Sequence, residues 1–271
     1  MDDIDRFLNE DLNKIGDITS DSLFSNEQAK AQIIAKERCI VAGLNEAKLV
    51  FDKLGAKMNF FKKDGDLVEN NTIVAEINGP AKSILTGERL ALNFICRMSG
   101  IATETKKLID LCKSKNQKIK IAATRKTTPG FRKYEKKAVE IVGGDPHRFG
   151  LYDEVMIKDN HIKLMGSVKK SIEKIKQKVK DKIIEIEVEN EADAITAARL
   201  NVDVIMFDNF SFQKAKIIAD KIREINPNII IEISGGINSK NIVKYASFSD
   251  RISLGYLTHS IKSKNFSLEI L

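Results

Sequence analysis

Charged residues and glycines recur in this sequence directly after short apolar runs. Thr124-Arg125-Lys126 follows the first of these runs, and Lys158-Asp159-Asn160-His161 follows the next. The remaining runs also end in ionisable or glycine residues, namely Glu187-Val188-Glu189-Asn190, Asp208-Asn209, Ser234-Gly235-Gly236 and Gly255. In α/β barrels the loops at the carboxyl ends of the strands build the active site. Because all six predicted strands end in such residues, the sequence predicts a single site rather than scattered surface charges.

Basic side chains predominate at the first strand ends, where they could bind an anionic ligand. Arg125-Lys126 ends one run, His147-Arg148 lies beyond a pair of glycines, and Lys158 ends the next run. The planar arginine fork binds a carboxylate or phosphate through two hydrogen bonds, and lysine adds a mobile point charge. Each of these cations alone would suit a solvated surface. Their convergence at one end of a barrel predicts a ligand with several negative groups.

The third apolar run carries an unusual set of carboxylates. Glu185, Glu187 and Glu189 alternate with apolar residues, which places all three on one face of a strand. Buried parallel strands are normally apolar throughout, so the alternation needs an explanation. An edge strand with one face in water is the first explanation, and a carboxylate aimed into the mouth of a barrel is the second. The pattern at the other strand ends favours the second.

Two glycine segments indicate a phosphate site. Ser234-Gly235-Gly236 follows a strand and opens a helix predicted over 239–245. Glycines let the backbone approach a ligand closely, and a helix N-terminus presents free N–H groups to an anion. Gly255 follows the last run, and phosphate sites of barrels come from the last strands. Nearby His259 is expected to have a structural rather than a catalytic role.

The elements that must position these residues change in character along the chain. Up to about residue 80 the pattern is mixed, with helices predicted over 4–13 and 46–54, and with short strands around them. Residues 83–115 form one long predicted helix, and Gly100 is the point where it could break. Arg97 lies off the apolar side of this helix, where we expect it to be solvated.

From about residue 118 onward, strand-like and helix-like runs alternate. The predicted strands cover 119–123, 154–157, 183–188, 202–207, 229–233 and 251–254, and the predicted helices cover 168–180, 191–200, 212–225 and 239–245. Alternation of this kind indicates parallel strands covered by helices. An α/β barrel and an open doubly wound sheet both satisfy it.

Composition limits the class of protein. The 271 residues are 42% hydrophobic and 31% charged, the balance of a globular protein of one or two domains. Three cysteines without a C-x-x-C pair argue against a disulfide framework. The acidic N-terminus lacks the features of a secretion signal, and no apolar run is long enough to span a bilayer, so we expect a cytoplasmic protein. The net charge of +7 is compatible with nucleic acid or with anionic small substrates.

Over nearly its whole length the sequence resembles the quinolinate phosphoribosyltransferases. The most specific pieces are Thr124-Arg125-Lys126-Thr127-Thr128-Pro129-Gly130 and Ile157-Lys158-Asp159-Asn160-His161, in this order. The other matching pieces are Gly16-Asp17-Ile18-Thr19-Ser20, 87–93, 147–151, 185–188, 234–237 and Thr258-His259-Ser260. A related phosphoribosyltransferase with another small anionic acceptor is the nearest alternative. A basic nucleic-acid-binding protein is the rival from another class, but no recognition helix or basic tail supports it.

The resemblance implies a fold, an activity and an assembly. The implied fold is α/β, with an N-terminal mixed α/β sandwich domain over 1–105 and an incomplete TIM-like α/β barrel over 106–271, whose last residues could return to the first domain. The implied reaction transfers phosphoribosyl from phosphoribosyl pyrophosphate to quinolinate with decarboxylation, giving nicotinate mononucleotide for NAD biosynthesis. Mg²⁺ is the implied cofactor, and a homodimer or a higher assembly of dimers is the implied state. Neither nucleic acid nor a membrane is an expected partner.

The resemblance also implies roles for individual residues. The substrate-binding residues would be Arg89, Thr124, Arg125, Lys126, His147, Arg148, Lys158, Glu187, Asp208, Ser234, Gly235, Gly236 and Gly255. Among them, the catalytic residues would be Glu187, Asp208, Lys126 and Lys158. Arg89 would reach into the partner subunit's site, and Glu187 and Asp208 would lie near the ribose and its magnesium. Ser234, the two glycines after it and Gly255 would bind phosphate.

Overall fold

The chain forms two compact units in this computed structural model, which describes residues 2–271. The first unit comprises the chain up to Lys106 together with Lys133–Gly143 and Ser260–Leu271. The second unit comprises Lys107–Arg132 and Gly144–His259. Each unit is therefore built from segments that are far apart in the sequence.

The helices and strands follow one another along the whole described chain. The helices are α1 (Asp3–Leu12), α2 (Ile18–Leu23), α3 (Leu44–Leu54), α4 (Ala81–Lys113), α5 (Arg132–Ile141), α6 (Asp159–Met165), α7 (Val168–Lys178), α8 (Glu191–Arg199), α9 (Phe212–Ile225), α10 (Ile242–Ala246) and α11 (Tyr256–His259). The strands are β1 (Gln28–Ala35), β2 (Cys39–Ile40), β3 (Lys57–Phe60), β4 (Leu67–Val68), β5 (Ile73–Pro80), β6 (Lys120–Ala122), β7 (Val155–Ile157), β8 (Ile184–Val188), β9 (Val204–Asp208), β10 (Ile230–Ser234), β11 (Arg251–Ser253) and β12 (Phe266–Ile270).

The first unit is built around a four-stranded antiparallel sheet in the order β12-β1-β5-β3. Residues such as Ile33 and Ile77 on this sheet are fully buried, whereas the alternate positions are more exposed. Asp2 caps α1 by accepting a hydrogen bond from the backbone N–H of Asp5, whose side chain accepts one in return. The predicted mixed α/β character of the N-terminal region is confirmed.

The long helix α4 is continuous through Gly100, so the break considered there does not occur. The glycine has a packing role instead. A β-carbon at this position would come within 2.5 Å of the carbonyl oxygen of Lys262, so only glycine lets residues 262 and 263 lie against the helix.

Arg97 is not solvated, and that prediction was wrong. Its Nη2 lies 2.7 Å from Oε1 of Glu135, whose side chain is fully buried, and its own side chain is only 22% exposed. Glu135 belongs to α5, a helix that the sequence pattern did not predict. Because α5 covers this side of α4, Arg97 balances a buried carboxylate rather than facing water.

The second unit is an incomplete α/β barrel of six parallel strands in the order β6-β11-β10-β9-β8-β7. Among the described residues, β6 and β7 are not paired with each other, which leaves the barrel open at that point. Apolar faces of α8 and α9 cover the strands, with Ala197 and Ile222 among their buried residues. The barrel prediction is confirmed, and the open doubly wound alternative is not needed.

The strand register places four polar or adaptable side chains on one inner face. Glu187 pairs with Met206, Met206 with Glu232, and Glu232 with Arg251 across four neighbouring strands. Glu185 lies on the same face of β8 and is fully buried. Since β8 lies inside the sheet, the edge-strand explanation of its carboxylates was wrong.

The predicted strands of the barrel differ from the observed ones by only a residue or two at each end. The pattern did not predict α2, α5, α6, α11, β3 or β12, which are mostly short. No helix within residues 2–271 has the length and apolar character needed to cross a membrane.

Candidate active site

A cavity of about 660 Å³ opens at the carboxyl ends of the barrel strands, a volume typical of small-molecule sites. Basic side chains, carboxylates and glycine loops border it together. Its lining consists of Thr124, Arg125, Lys126, His147, Arg148, Met156, Lys158, Glu187, Met206, Asp208, Glu232, Ser234, Gly235, Gly236, Ile237, Ser253, Leu254, Gly255, Tyr256 and His259. All of these residues belong to the second unit.

Arg148 is a buried cation beside the cavity. It is 8% exposed, and its guanidinium donates to the sulfur of Met156 at 3.1 Å and to the carbonyl oxygen of Glu154 at 3.5 Å. Burial and the neighbouring charge of Arg125 lower the pKa of Arg148. The guanidinium of Arg148 has neutral hydrogen-bond partners, and it and that of Arg125 repel each other. An anion would relieve this repulsion, so the pair is suited to binding one.

Backbone contacts hold Lys126 at the end of β6. Its N–H donates to the Thr124 hydroxyl at 3.1 Å, and the Thr258 hydroxyl donates to its carbonyl oxygen at 2.8 Å. A β-carbon at Gly255 would come within 2.9 Å of Cδ of Lys126 and 3.2 Å of the His259 ring. Because Gly255 has no side chain, the Lys126 stem and the His259 ring can both pack against the backbone that follows β11.

The carboxylates on the rim of the cavity come from β8 and β9. Glu187 forms an ion pair with Lys158 in which the lysine side chain is 42% exposed and the glutamate side chain 13%. Asp208 ends β9 and accepts a hydrogen bond of 2.7 Å from the side-chain amide of Asn209. Both acids lie at the cavity surface, where a ligand can reach them.

Glycines shape the loop that follows β10. Gly235 and Gly236 have φ values of +78° and +61°, in the left-handed region that favours glycine. The helix after this loop begins at Ile242, later than predicted, so the loop does not open a helix directly. Backbone groups of the loop itself, rather than a helix end, border the cavity.

Beneath the cavity lies a layer of buried charges, which we call the ionic floor and define as His147, Glu185, Glu232 and Arg251. Glu185 and Glu232 are fully buried, and the other two are less than 10% exposed. Nε2 of His147 lies 3.4 Å from Glu185 and 3.5 Å from Glu232. Arg251 lies 3.4 Å from Glu185 and forms an ion pair with Glu232. Each acid of the floor is thus shared by both bases.

The floor changes the proton affinity of its members. Burial opposes protonation of His147, but hydrogen bonds to the two carboxylates and their charges outweigh it and raise the pKa of His147 to about 9. The backbone N–H of Arg148 donates to Nδ1 of the neutral ring at 2.7 Å, so the neutral ring carries its proton on Nε2. A second proton would bind to Nδ1 and break this hydrogen bond. Burial and the charge of Glu232 raise the pKa of Glu185. Because the pKa values of His147 and Glu185 are both raised, the floor binds a proton that these two residues share.

Two groups of side chains could offer atoms to a cation. The first is the rim pair Glu187 and Asp208, whose hard oxygen atoms suit Mg²⁺. The second is His147, Glu154 and Glu185, whose ligand atoms all lie within 4.8 Å of one another. The guanidiniums of Arg148 and Arg251 already neighbour the second group, so the rim pair fits a metal better.

The cavity brings together every site residue that the sequence predicted except Arg89. Arg89 is exposed on α4 in the first unit. The lining residues that the sequence did not assign to the site are Met156, Met206, Glu232, Ile237, Ser253, Leu254, Tyr256 and His259. His259 was expected to be structural, yet it borders the cavity. A lone glutamate within the apolar run of β10 was the available signal for Glu232.

This arrangement can bind a ligand that carries several negative groups and can also stabilise a positive charge. Cations line the side formed by β6 and β7, and carboxylates line the side formed by β8 and β9. Charges of both signs, fixed at the border of one small cavity, are suited to a reaction in which charge separates.

Comparisons with known proteins agree with this description. The family model for the quinolinate phosphoribosyl transferase N-terminal domain matches residues 17–99, and that for the C-terminal domain matches residues 101–269. A probable nicotinate-nucleotide pyrophosphorylase [carboxylating] of Archaeoglobus fulgidus is 41% identical over 259 residues, covering 94% of this chain and 98% of that protein. The human nicotinate-nucleotide pyrophosphorylase [carboxylating] is 32% identical, with 89% and 82% covered.

Solved structures share the whole fold. The crystal structure of NadC from Streptococcus pyogenes has a TM-score of 0.91 and 38% identity, covering 99% of this chain and 95% of that one. The nicotinate-nucleotide pyrophosphorylase from Francisella tularensis has a TM-score of 0.91 and 36% identity, with 99% and 94% covered.

Proposed function

The chain belongs to the quinolinate phosphoribosyltransferase family, and from this premise we propose how its cavity residues divide the reaction among them. The enzyme transfers phosphoribosyl from phosphoribosyl pyrophosphate to the ring nitrogen of quinolinate and releases carbon dioxide. Its products are nicotinate mononucleotide and pyrophosphate, in the biosynthesis of NAD. The expectation from the sequence resemblance is thereby confirmed.

Quinolinate binds on the cationic side of the cavity. The observation that supports this most is that Arg125, Lys126, Arg148 and Lys158 border one cavity with the carboxylates of β8 and β9. A ring with two adjacent carboxylates needs paired cations, and guanidinium groups provide them in the required planar geometry. His147 adds a charged or hydrogen-bonding edge from the ionic floor.

Glu187 stabilises the positive charge that develops on the ribose as the pyrophosphate bond breaks. A fixed carboxylate acts more strongly on this charge than on the neutral ground state, which is the condition for catalysis. Glu187 is paired with Lys158. A quinolinate carboxylate that attracts Lys158 would leave Glu187 available to the sugar, so the acceptor would prepare the site for the donor.

Asp208 and Glu187 would hold the magnesium ion that accompanies phosphoribosyl pyrophosphate, and the ion would offset the charge of the departing pyrophosphate. Phosphate oxygens of the donor bind to backbone groups of the loop Ser234-Gly235-Gly236 and to the end of β11 at Gly255. Positive φ at both loop glycines lets the backbone come close to such a ligand.

Decarboxylation follows from the chemistry of the product ring. Once the nitrogen carries ribose it is quaternary, so the electron pair left at carbon 2 by departing carbon dioxide is stabilised by the adjacent positive charge. A proton then takes the place of the lost carboxylate. No covalent bond to the enzyme is needed at any step.

The active form is a homodimer or an assembly of dimers in which Arg89 reaches quinolinate in the partner's site. Arg89 is exposed, as this role requires. The first unit also exposes Ile15, Ile18 and Leu23, each at more than 60%. In the second unit Leu151, Tyr152 and Leu164 are each more than 70% exposed. Such side chains are compatible with surfaces that other chains cover. We place the enzyme in the cytoplasm.

A coupled assay tests this function directly. Purified protein is mixed with magnesium, phosphoribosyl pyrophosphate and quinolinate carboxyl-labelled at position 2, and both nicotinate mononucleotide and labelled carbon dioxide are measured. We expect the two products in equal amounts. Nicotinate replaces quinolinate in the control, because it lacks the 2-carboxylate that the paired cations bind. A protein that used nicotinate equally well, or that left quinolinate unchanged, would contradict the proposal.

A further inference from the structure

We infer that Asn209 is a positioning residue that fixes the Asp208 carboxylate and the loop Ser234-Gly235-Gly236 in a single arrangement. This inference rests on the proposed function, in which both groups serve phosphoribosyl pyrophosphate. Asn209 itself does not line the cavity, so it acts through its neighbours.

Three contacts tie Asn209 to the two groups. Its side-chain amide donates to Oδ2 of Asp208 at 2.7 Å, and its backbone N–H donates to the carbonyl oxygen of Ser234 at 3.1 Å. Its side-chain oxygen lies against Gly235, where a β-carbon would come within 2.4 Å of it. One residue therefore contacts the end of β9 and the loop after β10 at the same time.

The backbone of Asn209 is in the left-handed region, with φ at +56°. Asparagine tolerates this conformation better than most residues, and exposed turns use it often for that reason alone. A turn residue of this kind needs no contacts from its side chain. Here both ends of the amide are engaged, one by a catalytic carboxylate and one by the loop, which a turn alone does not explain.

These contacts fix the positions of the groups that bind phosphoribosyl pyrophosphate. A hydrogen bond to one oxygen limits the rotation of the Asp208 carboxylate, and the amide oxygen limits how far the loop can move toward β9. A site that is held in its binding arrangement before the ligand arrives loses less entropy when it binds. Removing the amide would therefore affect phosphoribosyl pyrophosphate more than quinolinate, whose cations lie on other strands.

Steady-state kinetics of two substitutions test this. Asn209→Gly keeps the left-handed backbone and its N–H but removes the amide, and Asn209→Asp keeps the shape but places a second carboxylate beside Asp208. For Asn209→Gly we expect kcat/KM for phosphoribosyl pyrophosphate to fall about tenfold, the size of one hydrogen bond to a charged group. For Asn209→Asp we expect a larger fall, because like charges repel. The KM for quinolinate should change less than about twofold in both.

Asn201→Gly is the matched control. Asn201 is also exposed, also has positive φ, at +50°, and accepts a hydrogen bond from the side chain of Asn226 away from the cavity lining. The Asn201→Gly substitution should leave kcat/KM unchanged for both phosphoribosyl pyrophosphate and quinolinate. Wild-type kinetics for Asn209→Gly, or equal losses toward both substrates together with a lower Tm, would overturn the inference. If the wild-type protein itself lacked activity, the proposed function would fail instead, so the two failures are distinguishable.

Discussion

The ionic floor and the rim of the cavity both pair acidic with basic side chains, but they use these pairs differently. On the floor, Glu185 and Glu232 are fully buried and shared between His147 and Arg251. On the rim, Glu187 is partly exposed and paired with one mobile lysine. A buried charge without its partner is costly, whereas a partly solvated one can exchange partners at little cost. The floor should therefore determine stability and geometry, and the rim should determine catalysis.

The sharpest test of this comparison is Glu187→Ala on the rim. We expect kcat to fall by about 100- to 1,000-fold, the usual cost of removing one group that stabilises transition-state charge. Quinolinate binding, measured by titration calorimetry, should weaken far less. The free energy of unfolding should change little, because the side chain is partly solvated and its partner Lys158 can turn to water.

The neighbouring Glu189→Ala is the control for this experiment. Glu189 follows the same strand but is exposed and does not line the cavity. Turnover close to wild type in Glu187→Ala would show that its role is wrongly assigned. A strong loss in Glu189→Ala as well would mean that the carboxylates act through the strand rather than at the cavity.

Arg251→Met tests the floor. We expect the free energy of unfolding to fall by about 3 kcal/mol, since two buried carboxylates lose their permanent cation. Urea denaturation measures this change. The double substitution Arg251→Met with Glu232→Met should recover most of it, because Glu185 and His147 then remain as a balanced pair.

Arg199→Met, at an exposed position of α8, is the matched control. Its free energy of unfolding should lie within about 0.5 kcal/mol of the wild-type value. If Arg251→Met were equally harmless, the floor would not be the stabilising layer that its burial indicates. If the double variant were no more stable than Arg251→Met, Arg251 and Glu232 would not stabilise the fold as a pair.

The floor also predicts how stability depends on pH. The pKa of His147 is about 9 in the folded chain and near 6.5 when unfolded. Its stabilising contribution is therefore full below about pH 6.5 and is lost as the pH rises through 9, by roughly 3 kcal/mol. Unfolding free energies measured across this range should fall in wild type and fall less in His147→Gln. His161→Gln, at an exposed position, should keep the wild-type slope.

The smallest expected signal, a partial recovery of activity, concerns Arg89, which lies on neither floor nor rim. Arg89→Ala and Arg125→Ala should each be inactive, and mixed dimers should hold one intact site out of two. Random mixing then restores about a quarter of wild-type activity. Subunits exchanged under mild denaturation and confirmed by native mass spectrometry provide the measurement. Properly mixed dimers with no recovery would exclude a site shared between subunits.

The rim was largely predictable from the sequence, whereas the floor was not. Residues such as Lys158 and Asp208 stand directly after apolar runs, so strand ends and site residues appear together in the pattern. The pairing of Glu232 with Arg251 depends on the register between β10 and β11, which no local pattern contains. A lone charge inside an apolar run showed only that a partner must exist.

Other differences have the same origin. Arg97 was expected to face water because its partner Glu135 lies on α5, which is distant in sequence. The conformation of Asn209 follows from contacts with a loop on the next strand. Local periodicity predicts where elements lie, while the identity of buried partners depends on how distant segments meet.

The first sheet has a consequence for how the protein is made. Its strand β1 is bordered by β12, with Ala31 paired to Ile270. A ribosome synthesises residue 31 long before residue 270, so one side of β1 stays without its hydrogen-bonding neighbour through most of translation. An open strand edge invites pairing with other nascent chains. Newly made chains therefore remain open to aggregation along this edge of β1 until β12 emerges.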